Sequence, residues 1–228
     1  MSAIKVAAKI QPAKQALIFF HGLGDSGSGF SFLAEILQRD PAFSHTKFIF
    51  PNAPEIPITV NGGQEMPGWF DILDWNLGSN NVDRIRFSAS LKGLENYVQE
   101  EINDGIEPAN IVVGGFSQGA SLTLAASVSL PIKIGGFVAL SGFCFNEKFL
   151  NEVKNTNNLQ TPVFHGHGTA DQVVPYQIAE LSRDYFKSNC NMNDYKFQTY
   201  NGLQHSTCPE EMKDLVVFLK GALNVQDI

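Results

Sequence analysis

Ser117 stands in the stretch GGFSQGASL, between an apolar run at 110–115 and a small-residue run at 118–129. Two roles are open to a serine there. It is a favoured helix N-cap, whose side-chain oxygen accepts an orphan backbone N–H. It is also the centre of G-x-S-x-G, the pattern of a nucleophile held on a tight strand-to-helix turn. On such a turn the positions two before and two after the serine crowd each other. Gly115 and Gly119 leave room at both, which a plain cap does not require. The helix behind the turn would aim its positive N-terminus, and the amide of Gln118, at the serine.

A serine nucleophile needs a base, a group that orients the base, and donors for the oxyanion. With a strand–turn–helix elbow the expected chain order is Ser, then Asp or Glu, then His. His165, His167 and His205 follow Ser117. The first two flank the end of an apolar run and precede the best acid, so they are out of order. His205, in NGLQHST, follows the last predicted strand and precedes the last predicted helix, and is the candidate base. HGHGTADQVVP sets Asp171 just beyond a strand and before a proline-marked helix start, and it is the candidate acid; a turn or cap is its other role. Asp71 and Asp74 precede the serine, and Asp184 and Asp194 fall in or just after a helix. The HGH pair shares one strand face, but no third ligand has metal-like spacing, so no metal is expected.

The oxyanion donors should come from a loop after an early strand. LIFFHGLGDSGSGF has that shape, and Gly22 and Gly24 permit tight inward-facing backbone. GLGDSG also reads as G-x-G-x-x-G. Neither the ribose-binding acid of a dinucleotide fold nor the Lys-Ser/Thr pair of a phosphate loop accompanies it.

These residues need a scaffold, and the chain predicts one. Apolar runs at 16–20, 47–50, 110–115, 134–140, 162–166 and 195–200 read as strands, most of them continuously apolar as in sheets covered on both faces. Helical patterns fall at 30–39, 82–103, 118–129, 176–187 and 210–223. The alternation predicts a single α/β domain over residues 1–228, with a mainly parallel, doubly wound sheet whose ligands sit beyond the carboxyl ends of the strands. The segment 54–81, rich in proline, glycine and bulky apolar residues, fits neither element and is long enough to be a binding loop.

Of the 228 residues, 43% are hydrophobic and 17% charged, a globular composition. The formal net charge of −7 and the absence of a basic cluster argue against a nucleic-acid partner. No run reaches the length of a membrane span, and the first fifteen residues lack the apolar core of a signal peptide. Cys144, Cys190 and Cys208, odd in number and without metal spacing, read as reduced thiols of a cytosolic protein.

Seven blocks carry a resemblance to a known family: FFHGLGDSGSGF, FIFPNAP, MPGWFDI, GGFSQGASL, VALSGF, HGHGTADQVVP and GLQHST, in order from about residue 16 to 219. Together they resemble the acyl-protein thioesterases, also described as cytosolic lysophospholipase/carboxylesterases, and particularly the fungal members. The resemblance implies an α/β-hydrolase fold without an inserted lid domain. It also implies hydrolysis of long-chain acyl thioesters on S-palmitoylated proteins, with no metal or organic cofactor. Carried over by position, the nucleophile, acid and base fall on Ser117, Asp171 and His205, and the oxyanion amides on Leu23 and Gln118. Trp69, Phe70, Ile72 and Leu73 become candidate walls of an acyl channel, with a core cluster under the loop as their other reading. Lysophospholipids or simple oxyesters are the rival substrates, and an inactive fold that only binds an acyl ligand is the rival class. The implied setting is the cytoplasm, and also the nucleus, with peripheral membrane contact. Two positions depart from the family pattern: Gly68 stands where serine or alanine is more common, and SGFCF replaces a leucine-bearing turn.

Overall fold

The computed structural model describes residues 2–74 and 81–225, so residues 75–80 of the long connection lie outside the described part. In chain order the elements are β1 (Ala3–Val6), β2 (Gln15–Phe20), α1 (Gly27–Phe30), α2 (Phe32–Leu37) and β3 (Thr46–Pro51). A hairpin of β4 (Glu55–Ile58) and β5 (Gln64–Pro67) precedes α3 (Arg84–Asn103) and β6 (Ile111–Phe116). Then come α4 (Gln118–Ser129), β7 (Gly136–Leu140), α5 (Glu147–Val153) and β8 (Val163–Gly168). The chain closes with α6 (Tyr176–Asp184), β9 (Tyr195–Tyr200) and α7 (Pro209–Ala222). Seven strands form one sheet in the order β1-β3-β2-β6-β7-β8-β9. Among the described residues of that sheet, only β1 runs antiparallel to its neighbour.

The continuously apolar strands are buried on both faces, and their side chains divide by the two-residue pleat. Ala16, Ile18 and Phe20 of β2 join Ile111 and Val113 of β6 in a layer with Phe87, Leu94 and Val98 of α3. Leu17 and Phe19, with Val112, Val138 and Phe164, face the opposite layer and meet Leu215 and Leu219 of α7. A fully buried side chain of this size contributes about 1.5–3 kcal/mol, whereas an exposed ion pair contributes about 0–1 kcal/mol. The two apolar layers therefore hold the sheet, and it is their shared rim that carries the chemistry.

The strand predictions fall on β2, β3, β6, β7, β8 and β9, with ends shifted by one or two residues. The helix predicted from residue 82 starts at Arg84, because the Asp83 side chain accepts the Arg86 N–H and caps it. The pattern at 30–39 is split between α1 and α2. The pattern at 176–187 ends as α6, followed by a wide turn over Tyr185–Asn189. Four of these elements, β1, β4, β5 and α5, had no sequence prediction. β1 is a four-residue edge strand, too short for a periodic signal. The hairpin β4–β5 contains Pro57 and Pro67, which a two-stranded ribbon tolerates because each strand has a free edge. The seven-residue α5 is defined mainly by its cap, Asn146, whose side chain accepts from Phe149 N–H.

Candidate active site

Ser117 closes β6 and opens α4 with φ 54° and ψ −115°, outside both helical and strand conformations. Its side chain makes no capping bond. Its amide donates to the Leu140 carbonyl at 2.9 Å, which ties the turn to β7. A Cβ on Gly115 would overlap the backbone of Gly119, and one on Gly119 would overlap the Phe20 carbonyl oxygen. The two glycines are thus required by close backbone approach at the elbow.

His205, in the loop between β9 and α7, has Nε2 2.9 Å from Ser117 Oγ. Its Nδ1 lies 2.7 Å from Asp171 Oδ2. Asp171 sits just past β8, and its Oδ1 accepts the N–H groups of Val173 and Val174, both at 2.9 Å. Burial by itself raises the Asp171 pKa, but the hydrogen bonds from His205 and from the Val174 and Val173 amides outweigh it and hold the carboxyl below its ordinary value. An ionised carboxylate only accepts, so His205 Nδ1 is the donor and Nε2 is free to accept the Ser117 hydroxyl proton. That is the tautomer a general base requires.

The serine opens into a cavity of about 260 Å³ lined by Leu23, Gln118, His205 and apolar side chains that include Phe30, Ile72, Phe116, Phe143 and Val173. Ile72 and Phe143 also wall a smaller cavity of about 30 Å³, which adds Phe70, Leu73 and Phe145. Of the four candidate channel residues, Ile72 touches both spaces and Phe70 and Leu73 touch the smaller one. Trp69 lines neither described cavity. It is 1% exposed, sits edge-on to Phe20, and donates from Nε1 to the His21 carbonyl at 2.8 Å. Phe143 and Phe145 had not been singled out as walls. Their signal lay in SGFCF, the turn that departs from the family pattern.

The side chain of Gln118 is also engaged. Its side-chain oxygen accepts from Trp69 N–H and its side-chain nitrogen donates to the Phe70 carbonyl, both at 2.7 Å. His21 was also not anticipated. Ala53 N–H donates to its Nε2 at 3.1 Å, so Nδ1 carries the proton and donates to the Gly22 carbonyl at 2.7 Å. Burial lowers its pKa, which keeps the ring neutral beneath the Gly22–Leu23 loop.

The residues set aside in the sequence have other occupations. Asp71 accepts from the amide and hydroxyl of Thr59 at 2.7 and 2.6 Å, and Asp184 pairs with Arg183 at the surface. His165 Nδ1 is 2.7 Å from the Tyr195 hydroxyl, and burial pushes that ring down to about 3. A larger space of about 380 Å³ near Lys5, Lys47 and Asp104 has no nucleophile–base pair in its walls. Volume alone does not make a site.

A mostly parallel sheet with a serine on the elbow after its central strand is the architecture of an α/β-hydrolase. The chain belongs to the phospholipase/carboxylesterase family, whose model matches residues 1–223. It is 53% identical to acyl-protein thioesterase 1 of Saccharomyces cerevisiae, over 98% of this chain and 100% of that one. It is 52% identical to acyl-protein thioesterase 1 of Kluyveromyces lactis, over 99% of each. Among solved structures, Zea mays acyl-protein thioesterase 2 superposes with a TM-score of 0.81 at 30% identity, over 97% of this chain and 99% of that one.

Proposed function

We propose that this chain is a serine hydrolase that cleaves long-chain acyl thioesters from S-palmitoylated proteins. The observation that carries the reading is the hydrogen-bonded series Ser117–His205–Asp171 at the mouth of an apolar cavity. Its full-length similarity to the two yeast thioesterases supports the thioester as the bond attacked.

In this mechanism Ser117 Oγ attacks the acyl carbonyl while His205 Nε2 takes the hydroxyl proton. The Leu23 and Gln118 amides receive the developing oxyanion, and loss of one such donor costs about 3–4 kcal/mol of transition-state stabilisation. Asp171 holds the imidazole in its Nδ1–H tautomer and stabilises the imidazolium. The cysteine sulfur leaves, either taking the proton from His205 or departing as thiolate while His205 releases that proton to solvent, so that the imidazole is neutral again. Water then attacks the acyl-serine and gives its proton to His205, and Ser117 recovers its own as the fatty acid leaves. Each step moves only protons and acyl groups, and no cofactor enters. The apolar walls at Ile72, Phe143 and Phe70 are assigned to the acyl chain.

No described helix is long and apolar enough to cross a membrane. On the family resemblance, the proposed setting is that of an enzyme of the cytoplasm, and also of the nucleus, that meets its acylated substrates peripherally at membrane surfaces. Lysophospholipids and oxyesters fit the same chemistry and are the competing substrates. The test compares kcat/KM for matched thioesters, oxyesters and lysophospholipids of graded chain length, with Ser117→Ala as blank. Thioesters are expected to win at long chain length; a lead for oxyesters or lysophospholipids at every length would overturn the thioesterase reading. Failure of a fluorophosphonate probe to label Ser117 in folded protein would overturn the hydrolase reading.

A further inference from the structure

His167 is fully buried beside the acid and takes no part in the steps above. Its Nε2 lies 2.9 Å from the Val174 carbonyl oxygen and 3.4 Å from Asp171 Oδ2. A carbonyl only accepts, so Nε2 carries the proton and donates to Val174. Burial, the largest influence on this ring, lowers its pKa, and the imidazole is neutral. The positive edge of the same N–H faces Oδ2, the oxygen that takes the His205 Nδ1 proton at 2.7 Å. Oδ1 is held on its other side by the Val173 and Val174 amides. Val174 is therefore gripped twice, through its N–H by Asp171 and through its carbonyl by His167. Apart from exchange of its two equivalent oxygens, rotation of the carboxylate would break these contacts.

A histidine that merely filled space would not need its N–H. His167 leaves Nδ1 buried and without a hydrogen-bond partner among the described residues, an unfavourable state that an apolar side chain would avoid. What distinguishes histidine at this place is the donor at Nε2. His165, two residues earlier on the same face of β8, is bonded to Tyr195 instead.

We propose that His167 is a positioning residue for the acid: its Nε2–H locks the 171–174 turn and fixes the Asp171 carboxylate in the orientation that serves His205. The inference rests on the triad reading above. It is tested by measuring kcat and KM on a long-chain thioester for His167→Met, His167→Gln, Asp171→Ala and the His167→Met/Asp171→Ala double variant, with folding of each confirmed by its unfolding transition. His167→Met is expected to lower kcat about 10-fold or more with KM within about twofold, as a misplaced catalytic group does. In the Asp171→Ala background the same change should lower kcat by less than about twofold, because the partner it acts through is gone. His167→Gln, which keeps an N–H at similar reach, should return to within about threefold of the parent. Equal fractional losses in both backgrounds, a loss carried in KM, or a glutamine variant no better than methionine would each overturn the proposal. If Asp171→Ala itself left kcat unchanged, the triad reading would fall and this proposal with it, a result visible whatever His167 does. Should His167→Met not fold, His167→Leu replaces it under the same criteria.

Discussion

Ser117 holds a positive φ and keeps its hydroxyl out of helix capping. A conformation sparsely populated by non-glycine residues persists only where its surroundings over-determine it. Here the Leu140 carbonyl and the two glycines do so, and the hydroxyl is left for His205. Ionisation at two other residues sets opposite pH trends. Asp171 has a folded pKa below its ordinary value, so its stabilisation is present above the ordinary carboxyl range and is lost as pH falls through the folded value. Glu211 at the start of α7 is the reverse case. Both its oxygens are buried and without a hydrogen-bond partner among the described residues, and burial, followed by the Asp214 carboxylate, pushes it up to about 8 from 4.5. Between those values the folded state keeps a proton that the unfolded state has released, so stability falls as pH rises across that window. Glu211→Gln should therefore raise Tm relative to the parent at pH 8, by a margin that shrinks toward pH 4.5. At about 1.4 kcal/mol per unit the gain is on the order of a few kcal/mol, and thermal unfolding at a series of pH values measures it.

Between β6 and α4 the elbow works because two backbones touch where side chains are absent. Gly119→Ala places a methyl group against the Phe20 carbonyl, a rigid part of β2. It should destabilise the fold by at least about 1–3 kcal/mol, read as a lowered Tm together with loss of Ser117 labelling. The start of α4 also anchors the 69–70 segment through the Gln118 side chain. Gln118→Leu strands the Trp69 N–H and the Phe70 carbonyl, each at a cost of about 1–3 kcal/mol when buried. Since Phe70 borders the smaller cavity, KM for long acyl chains should rise more than KM for short ones. Steady-state kinetics on a chain-length series checks this. A Cβ at Gly68 would press on Leu23 and Ile56 at 3.1 and 3.3 Å, so glycine at that position relieves the wall beside the Gly22–Leu23 loop.

At the scale of the molecule, the two apolar layers share every central strand, and α3, α4 and α7 pack on one continuous sheet. We propose on that ground that residues 1–228 form a single domain. The expected outcome is one cooperative unfolding transition, with far-ultraviolet circular dichroism and tryptophan fluorescence superimposing in denaturant. Two separated transitions would divide the chain into independent units.

The six sheet strands rich in continuous apolar residues were legible because burial on both faces leaves a composition signature that needs no knowledge of the partner strand. The order of Ser117, Asp171 and His205 was legible for a related reason, since each closes or follows a strand and the open parallel sheet collects those ends at one rim. The hairpin β4–β5, with its two prolines, and the short α5 were not, because local propensity there is weak and packing decides. Nor did spacing distinguish Trp69, which turned into the core, from Ile72, which lines the cavity at the serine, since both belong to one irregular segment. The roles of His21 and the Gln118 side chain depend on hydrogen bonds to segments far along the chain, and that of His167 on how the turn after β8 folds back on its strand. The sequence by itself determined which elements form and which three side chains they deliver to the rim. Only the tertiary structure decided the tautomers, the carboxylate orientation and the cavity walls, because these follow from distances of a few ångströms between segments that no local pattern relates.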